Sequence, residues 1–463
     1  MSQQLSLGIN VEFTTTGESY RDKLIQLLSE DLDFHGENSN FKSHNFHSFP
    51  AKFPPQLPRK FINGLTENND VVLDPMGGSG TTILEALLAH RNGIGFDIDP
   101  LAIKIANTKL TPQSVEKIED SIQQILSKAR WLVQNERTTL SRELNDKWDA
   151  KSHEFIDYWF AFESQLELLA LVKVIQEVAE ADLRAFFELA FSAIIITKSG
   201  GVSLALDLAH TRPHRAKVVI NSDGKTIIDE PVSQNRRVIL TKNLRSPLGE
   251  FEKRCRNNLD GILLSSPKGA FSKAIFGDAQ LLPLAHHTVD LIVTSPPYAS
   301  NAIDYMRAHK FSLIWLGYQI DDLGNRRKEY IGADAIEGEK FESLPSFTSG
   351  VIDSLAQVDE KKSLVVRRYY SEMKRVLQEM YRVLKPGKAA ILVVGSSIIR
   401  GIDTQTQNCL ADIGQSLEFE VPKIGVRNLD RNRRMLPAGA KINKDSQIQQ
   451  RMHQEFVIGF YKP

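Results

Sequence analysis

The sequence predicts an α/β fold: a mainly parallel sheet with helices on both faces, interrupted by a long, largely helical insertion. Three segments predict it. Residues 71–82 read as a short apolar strand, a glycine-rich turn and the start of an amphipathic helix. Residues 93–100 form a second strand pattern that ends in carboxylates. Residues 289–298 form a third apolar strand, which ends abruptly in two prolines.

The glycine turn at residues 74–82, D-P-M-G-G-S-G-T-T, is suited to bind a ligand closely. Three glycines in four positions allow positive φ and let the backbone approach a bound molecule. Thr81 stands where a phosphate-binding P-loop has lysine, and the spacing is not GxGxxG, so a nicotinamide cofactor is disfavoured. An acid at the tip of the second strand of a Rossmann-like sheet accepts hydrogen bonds from ribose hydroxyls. Asp97 is the better candidate and Asp99 its neighbour.

The loop after the strand at residues 289–294 is the most informative feature of the chain. It consists of Ser295, Pro296, Pro297 and Tyr298. Neither proline has an N–H, and the residue before each is pushed toward extended geometry, so the strand tip is rigid. The serine hydroxyl, the first proline carbonyl and the tyrosine ring can surround a planar group such as a nucleobase amine. Taken alone, such a loop is more often a plain proline-stopped turn.

Together these motifs resemble the DNA amino-methyltransferases, enzymes that methylate exocyclic nitrogens of DNA bases. That family carries D-P-x-x-G-S-G-T-T, then G-x-[DE]-x-[DN]-P, and an S/T/D/N-P-P-Y catalytic loop. The resemblance implies a Rossmann-like class I methyltransferase sheet, S-adenosyl-L-methionine as cofactor, and a catalytic role for residues 295–298. It also implies the cofactor-binding residues, which are Lys52, Phe53, Asp74, Pro75, Gly77, Gly78, Ser79, Gly80, Thr81, Asp97, Asp99 and Asp278.

Two shorter segments extend the resemblance. Residues 47–57 are similar to the family's H-x-x-K-F-P-x-x-L element, which packs beside the methionine end of the cofactor. By itself this segment would pass for a proline-rich entry loop. For residues 276–279, F-G-D-A, the resemblance implies that Asp278 lies at the tip of the strand beside the cofactor adenine, although on local sequence it is equally a turn aspartate.

Composition is that of an ordinary globular protein, with 57 basic and 57 acidic residues among 463. The two cysteines, Cys255 and Cys409, provide neither a disulfide framework nor a metal cluster, so we expect no metal and a cytoplasmic location. The start of the chain lacks a signal pattern. The longest apolar run, residues 185–196, contains Glu188 and is too short to span a bilayer, so we expect no membrane association.

The order of the motifs divides the chain into four parts. The expected parts are a lead-in (1–40) with a short helix at 20–28, a cofactor half (41–110), an insertion (111–270) and a catalytic half (271–463). This order resembles the alpha group of the family, which implies that the insertion is a target-recognition region. Helical periodicity predicts helices at 115–133, 165–196 and 369–384. Residues 218–240 form a strand-like stretch, and apolar runs predict strands at 389–394 and 456–460. Residues 321–365 are charged and irregular, and we expect them to form a mobile flap over the site.

Double-stranded DNA is the expected partner, although the balanced charge means that any DNA contact must be local. Residues 201–273 carry 13 Lys/Arg against 7 Asp/Glu, and residues 423–451 carry 8 against 2. A solvated face is the default explanation for either run. Because the catalytic loop is suited to a nucleobase, contact between these basic side chains and DNA phosphates is the favoured explanation instead. We assign DNA binding to Arg431, Arg433 and Arg434. A cognate restriction endonuclease or other defence-system subunits are further candidate partners.

The predicted reaction is site-specific methylation of cytosine N4 in DNA, by base flipping and direct transfer. Serine before Pro-Pro is commoner with cytosine, and adenine N6 is the alternative. Neither cysteine follows a proline, which argues against carbon-5 methylation through a cysteine nucleophile. An RNA or protein-glutamine methyltransferase and a non-catalytic, methyltransferase-like subunit stay open. Four residues that follow the loop are expected to line the pocket or hold the displaced backbone, with a structural role preferred for the last: Asp304, Tyr305, Arg307 and His309.

Overall fold

A seven-stranded sheet forms the centre of this computed structural model, which describes residues 19–50, 52–197, 199–208, 213–299, 304–333, 336, 338, 340–429 and 454–463. All strands run parallel except β12, which is antiparallel to both of its neighbours. From one edge to the other the strands are β6 (Ser272–Phe276), β2 (Asn92–Asp97), β1 (Val71–Asp74), β7 (Val289–Thr294), β8 (Leu384–Val394), β12 (Gln454–Lys462) and β11 (Glu420–Asn428).

Helices cover both faces of this sheet. Because side chains alternate along a strand, Leu291 and Val293 of β7 pack on one face, whereas Ile292 packs on the other. The first face is covered by α1 (Tyr20–Ser29) and α2 (Gln56–Leu65), and the second by α15 (Glu360–Val383) and α16 (Thr406–Ser416). Beside the edge of the sheet at β2 and β6 lie α3 (Thr81–Leu88) and α4 (Pro100–Leu110). The predicted α/β fold with helices on both faces is confirmed.

The insertion consists of helices and one small sheet. The helices are α5 (Val115–Asn135), α6 (Arg137–Lys147), α7 (Ala150–Trp159), α8 (Phe162–Gln176), α9 (Ala181–Ile195), α10 (Gln234–Leu240) and α11 (Pro247–Leu259). The small sheet has the order β4 (Thr226–Asp229), β3 (Val218–Ile220) and β5 (Thr241–Asn243). The insertion shares one hydrophobic core with Leu101 and Ile105 of α4 and with Met306 and Phe311 of α12 (Met306–Leu313), so it packs directly on the rest of the fold.

The predicted secondary structure is correct at several places and wrong at two. The helices expected at 20–28, 115–133, 165–196 and 369–384 are present, although 165–196 is divided into α8 and α9. The strand-like prediction for 218–240 is wrong at its end, because α10 is a helix. The irregular flap predicted at 321–365 is also wrong, since it contains α13 (Ile320–Lys328), α14 (Ser346–Ala356) and the start of α15. A two-stranded hairpin follows β8, formed by β9 (Ile398–Ile399) and β10 (Ile402–Asp403).

Within the described ranges, no helix combines the length and the apolar character needed to cross a membrane.

Candidate active site

A cavity of about 390 Å³ opens where the carboxyl ends of the parallel strands β1, β2, β6 and β7 meet. The strand order reverses between β1 and β7, and ligands of open α/β sheets bind at such a switch point. Most of the residues predicted from sequence line this cavity: Lys52, Phe53, Asp74, Pro75, Gly77, Gly78, Ser79, Thr81, Asp97, Asp99, Asp278, Ser295 and Pro297.

The turn after β1 depends on its glycines for two different reasons. Gly78 has a φ of 48°, and a Cβ there would lie 3.1 Å from the ring of Phe49. Gly80 has a φ of 75°, and a Cβ there would lie 2.7 Å from the Cβ of Ala106. Gly80 is absent from the cavity lining among the described residues. It therefore shapes the turn and lets α3 approach α4, whereas Gly78 faces the cavity.

A buried lysine supports this turn from behind. Lys109 of α4 is 1% exposed, and its ammonium donates to the carbonyl of Ser79 over 2.7 Å. Burial, together with the charge of Lys52, lowers the pKa of Lys109 well below its usual range. Sequence reasoning missed this residue. The signal was its position on α4, four residues after the core residue Ile105 and therefore on the buried face.

Two carboxylates follow β2, and their hydrogen bonds differ. Asp97 accepts from the backbone N–H groups of Gly78 and Asp99, each over 2.8 Å. Burial and the nearby charge of Asp99 raise the pKa of Asp97 to about 7. Asp99 caps α4 by accepting from the N–H of Leu101, and it also contacts His309 and the Tyr330 hydroxyl.

Burial alone would raise the pKa of Asp99, but the facing His309 and the hydroxyl of Tyr330 hold it below its usual value. His309 is fully buried, and its Nδ1 lies 2.6 Å from the Asp99 carboxylate, which agrees with the structural role preferred for it. Asp99 is 3% exposed and its oxygens contact side chains, whereas Asp97 is only partly buried and accepts only from backbone N–H groups, so Asp97 is the carboxylate better placed to accept from a ligand.

Asp74 lies at the end of β1, between the glycine turn and the catalytic loop. Its carboxylate is 3% exposed and accepts from the N–H of Met76 over 3.2 Å. Burial raises the pKa of Asp74 to about 6, and the nearby hydroxyls of Thr294 and Thr82 oppose this rise. Thr294 is the last residue of β7, so Asp74 connects the ends of the two strands at the switch point.

The segment before α2 forms one wall of the cavity. Lys52 donates to the carbonyl of His44 over 2.7 Å, and burial lowers its pKa to about 8. The ring of Phe49 stacks on Tyr305, with centroids 4.9 Å apart. Phe53 is 8% exposed and packs under the same wall. An aromatic pair, a lysine and a glycine turn thus surround one end of the cavity.

The loop after β7 presents only part of its predicted surface to the cavity. Ser295 and Pro297 line it, but Pro296 and Tyr298 do not appear in the lining formed by the described residues. The Tyr298 hydroxyl instead donates to Glu455 of β12 over 2.8 Å. Burial and the charge of Glu455 raise the pKa of this tyrosine well above its usual value, while a hydrogen bond with Ser295 acts in the opposite direction.

Beyond the predicted set, the cavity has a wall made by α13 and the turn after it. Residues 330–333 line it, together with Gly324, Arg327 and Lys328. Of the four residues named after the catalytic loop, Asp304, Tyr305 and Arg307 also line it. The segment expected to cover the site therefore does so, although as a helix and a turn. Arg431, Arg433 and Arg434 lie outside the described residues.

The residues around the cavity fit an adenosyl group with a charged amino-acid end. Asp97 offers a carboxylate acceptor at the end of β2, and the exposed carboxylate of Asp278 follows β6. A Cβ at Gly277 would lie 2.9 Å from the Phe96 ring, so the backbone passes close to β2 at this point. In the described part of the chain, no group of three or more His, Cys, Asp or Glu side chains is arranged to hold a metal ion.

The sequence has relatives among characterised methyltransferases. The profile of the DNA methylase family matches residues 17–108. Type II methyltransferase M.MvaI of Kocuria varians is 27% identical over 416 residues, covering 85% of this chain and 86% of that protein. Type II methyltransferase M.AvaI of Nostoc sp. is 22% identical over 432 residues, covering 88% and 86%. Type II methyltransferase M.PvuII of Proteus hauseri is 36% identical over 91 residues, covering 19% and 27%.

Likeness to solved structures is slight. An S-adenosylmethionine-dependent methyltransferase from Methanosarcina mazei aligns with a TM-score of 0.30 at 11% identity, covering 87% of this chain and 96% of that one. The fold assignment therefore depends on the strand order of the sheet. In that order, in the motifs at its strand ends and in its sequence relatives, the chain is similar to the DNA methylase family, the S-adenosylmethionine-dependent amino-methyltransferases of restriction-modification type.

Proposed function

We propose that this protein methylates the exocyclic N4 of cytosine at a specific site in double-stranded DNA. The observation that carries the proposal is the position of Ser295, which follows β7 directly and lines the same cavity as the glycine turn and Asp97. A serine ahead of Pro296-Pro297-Tyr298 is the commoner arrangement for cytosine. Adenine N6 is the second candidate, because its amine has the same two N–H donors.

The catalytic loop would act by holding the target amine. The lone pair of this amine is delocalised into the base, which makes the nitrogen a poor nucleophile. The Ser295 hydroxyl accepts one of its N–H groups at the cavity wall. The Pro296 carbonyl accepts the other when the base enters beside the catalytic loop, since this residue is outside the cavity lining of the described residues. Together the two acceptors favour a pyramidal nitrogen. S-adenosyl-L-methionine would supply the methyl group as a sulfonium and leave as the neutral thioether. The N–C bond would form as the S–C bond breaks, and the methylated nitrogen would release one proton to solvent. Catalysis then consists mainly of positioning and electrostatics, with no covalent enzyme intermediate.

The cofactor would be held by residues of the three neighbouring strand ends. Asp97 accepts from the ribose hydroxyls, Asp278 lies beside the adenine, and the turn at residues 74–81 approaches the amino-acid end together with Lys52 and Phe53. Gly80 contributes through the shape of the turn. Asp99 acts through its hydrogen bonds, which fix the start of α4 and the position of Tyr330.

The target base must leave the duplex, since the amine of a stacked base cannot reach the cavity. Tyr298 is the proposed stacking partner. Its hydroxyl is bonded to Glu455 and its ring is partly buried, so stacking requires the base to enter beside the catalytic loop. Neither cysteine takes part: Cys255 and Cys409 are both buried in hydrophobic cores and are absent from the cavity lining of the described residues.

DNA contact is proposed for the insertion, residues 111–270, with Arg431, Arg433 and Arg434. One feature of the insertion supports this assignment. Helix α10 has no buried residue, and Val238 and Ile239 are 83% and 73% exposed. Residues 234–237 of the same helix are Gln, Asn, Arg and Arg, the side-chain types that read base edges and phosphates. A restriction endonuclease of the same specificity remains a proposed partner.

The test is nucleoside mass spectrometry of DNA from cells expressing the protein, with Ser295→Ala as the control. We expect N4-methylcytosine with the wild type. The variant should bind cofactor almost normally but turn over about a hundredfold more slowly, the usual scale for removing one preorganised polar group. N6-methyladenine as the sole product would replace the base assignment and keep the mechanism. Methylation confined to RNA or to protein glutamine would contradict the substrate assignment. If the folded wild type methylates none of these substrates, the remaining interpretation is a non-catalytic, methyltransferase-like subunit.

A further inference from the structure

Two arginines meet over one carboxylate at the mouth of the catalytic cavity. Arg307 lies in the first turn of α12 and Arg327 in the last turn of α13, so they come from two different helices. The Nε atoms of Arg307 and Arg327 lie 2.8 Å and 2.5 Å from the same carboxylate oxygen of Asp304. All three residues line the cavity that Ser295 and Pro297 also line.

Counted over the described residues, this cluster has an excess of positive charge, and neither arginine donates a hydrogen bond. One carboxylate neutralises only one of the two guanidinium groups. Neither oxygen of Asp304 has a partner with hydrogen-bond geometry among the described residues, so its contacts to the arginines are charge pairs alone. The excess affects a neighbour: burial and then the charges of Arg327 and Arg307 lower the pKa of Lys310, although Asp304 opposes this.

Exposure shows where an anion would reach the cluster. The Asp304 side chain is 16% exposed, whereas those of Arg307 and Arg327 are 45% and 50% exposed. The carboxylate is therefore recessed, and the guanidinium groups stand in front of it. Because a guanidinium has five N–H donors in a planar fork, the two arginines can bind a second oxyanion while they stay near Asp304.

We propose that Arg307 and Arg327 together bind one backbone phosphate beside the flipped nucleotide. The proposal rests on the function proposed above, because base flipping brings the phosphate to this place. When a base enters the cavity toward Ser295, its sugar and phosphates stay at the mouth, where the two arginines lie. Before DNA binds, Asp304 pairs with the two arginines and holds them in position. It therefore competes with the phosphate for their guanidinium groups.

The carboxylate of the cofactor is the other anion that the two arginines could bind. The position of the arginines favours the DNA phosphate. The amino-acid end of the cofactor is assigned to the glycine turn and Lys52, whose ammonium is mostly buried. The arginines are half-exposed and belong to helices that follow the catalytic loop in sequence. They therefore form part of the entrance for the base.

The experiment measures the affinity for a labelled DNA duplex by fluorescence anisotropy across a salt series. The variants are Arg307→Gln, Arg327→Gln and the double variant. Each neutralised phosphate contributes about 0.9 to the slope of log affinity against log salt. We expect the slope of the double variant to be smaller in magnitude than that of the wild type by about 0.9. The decrease should not be twice that value, because both arginines bind the same phosphate. Asp304→Asn should bind DNA several-fold more tightly, the opposite direction.

Arg326→Gln is the matched control. Arg326 lies on the same turn of α13, but its guanidinium sits 5.4 Å from the centre of the Phe276 ring, and it is not part of the cavity lining of the described residues. It should keep the wild-type slope. Thermal unfolding and calorimetric binding of S-adenosyl-L-methionine confirm that each variant is folded and that its cofactor site is intact.

Three results would overturn the proposal: a wild-type slope in the double variant, an equal loss in Arg326→Gln, or a loss of cofactor affinity with an unchanged DNA slope. The last would identify the anion as the cofactor carboxylate. Methylation of DNA by the wild type is scored separately. An active enzyme whose arginine variants keep the slope contradicts only the phosphate site, whereas absent DNA methylation contradicts the proposed function.

Discussion

Replacing Asp97 with asparagine should change how the stability of the protein depends on pH. In the folded protein the pKa of Asp97 is raised from 3.8 to about 7, first by burial and then by the charge of Asp99. An acid whose pKa is raised on folding loses stability as pH rises from the unfolded to the folded pKa. The wild type should therefore lose stability between about pH 4 and pH 7, and the asparagine variant should lack this component.

The size of the effect follows from the shift. A shift of three pKa units corresponds to about 4 kcal/mol in the free energy of unfolding. Roughly two thirds of this change occurs between pH 5 and the folded pKa of about 7. Solvent reaches the carboxylate of Asp97 from the cavity and reduces its effect, so we expect a change of about 1–2 kcal/mol between pH 5 and pH 8. Asparagine has one acceptor oxygen for the two backbone N–H groups and does not titrate, so its own contribution to stability is the same at every pH.

Urea unfolding of both proteins from pH 5 to pH 8 measures this difference. Asp120→Asn is the control, because it makes the same substitution on the exposed surface of α5, outside the cavity lining of the described residues. If the curves of wild type and Asp97→Asn run parallel within about 0.3 kcal/mol, the raised pKa is refuted. The same variant tests the cofactor assignment by calorimetry.

In the wild type, affinity for S-adenosyl-L-methionine should rise with pH and level off above about 7, because the ionised form of Asp97 is the better acceptor for ribose hydroxyls. Asp97→Asn should flatten this profile and weaken binding at pH 8 by about 1–3 kcal/mol. An unchanged affinity in the folded variant would refute the ribose role.

Three further predictions concern the catalytic loop, the basic C-terminal segment and the cysteines. Tyr298→Ala should weaken binding of DNA with a flipped base by about 1–3 kcal/mol, whereas Tyr298→Phe keeps the stacking ring; equal losses in titrations would point to the lost hydroxyl bond instead. Alanine at Arg433 and Arg434 should lower DNA affinity and flatten its salt dependence without changing cofactor affinity, and an unchanged slope would contradict phosphate contact. Cys255→Ser and Cys409→Ser should retain methylation per folded molecule in a radiolabel assay; inactivity in a folded variant would contradict direct transfer.

The features that could be predicted from the sequence are those whose physics is local. The glycine turn, Asp97 and the Pro-Pro loop each follow directly on a strand, so their place at the sheet edge follows from strand direction alone. Asp99 was recognised as a neighbour of the site, but its bonds to His309 and Tyr330 join residues more than 200 positions apart. No local pattern encodes contacts of that kind.

Two wrong predictions had compositional causes. Segment 321–365 was expected to be irregular because it is rich in charge, yet α13 needs only Leu323 in the core and α14 only Thr348, Ile352 and Leu355. Short helices of this kind have weak apolar periodicity. In α10, the β-branched residues Val238 and Ile239 favoured a strand, although neither packs against the small sheet beside it.

The insertion and the cofactor half are joined by polar contacts as well as by a shared core. Beneath the cavity, Nε2 of His47 lies 2.9 Å from the Ser192 hydroxyl of α9, which donates to Ser312 of α12 over 2.9 Å. One turn earlier on α12, His309 contacts the Asp99 carboxylate that caps α4. All of these side chains are buried, so losing one partner leaves the other without water to replace it. A displacement of α9 or α12 would therefore alter the carboxylate next to Asp97.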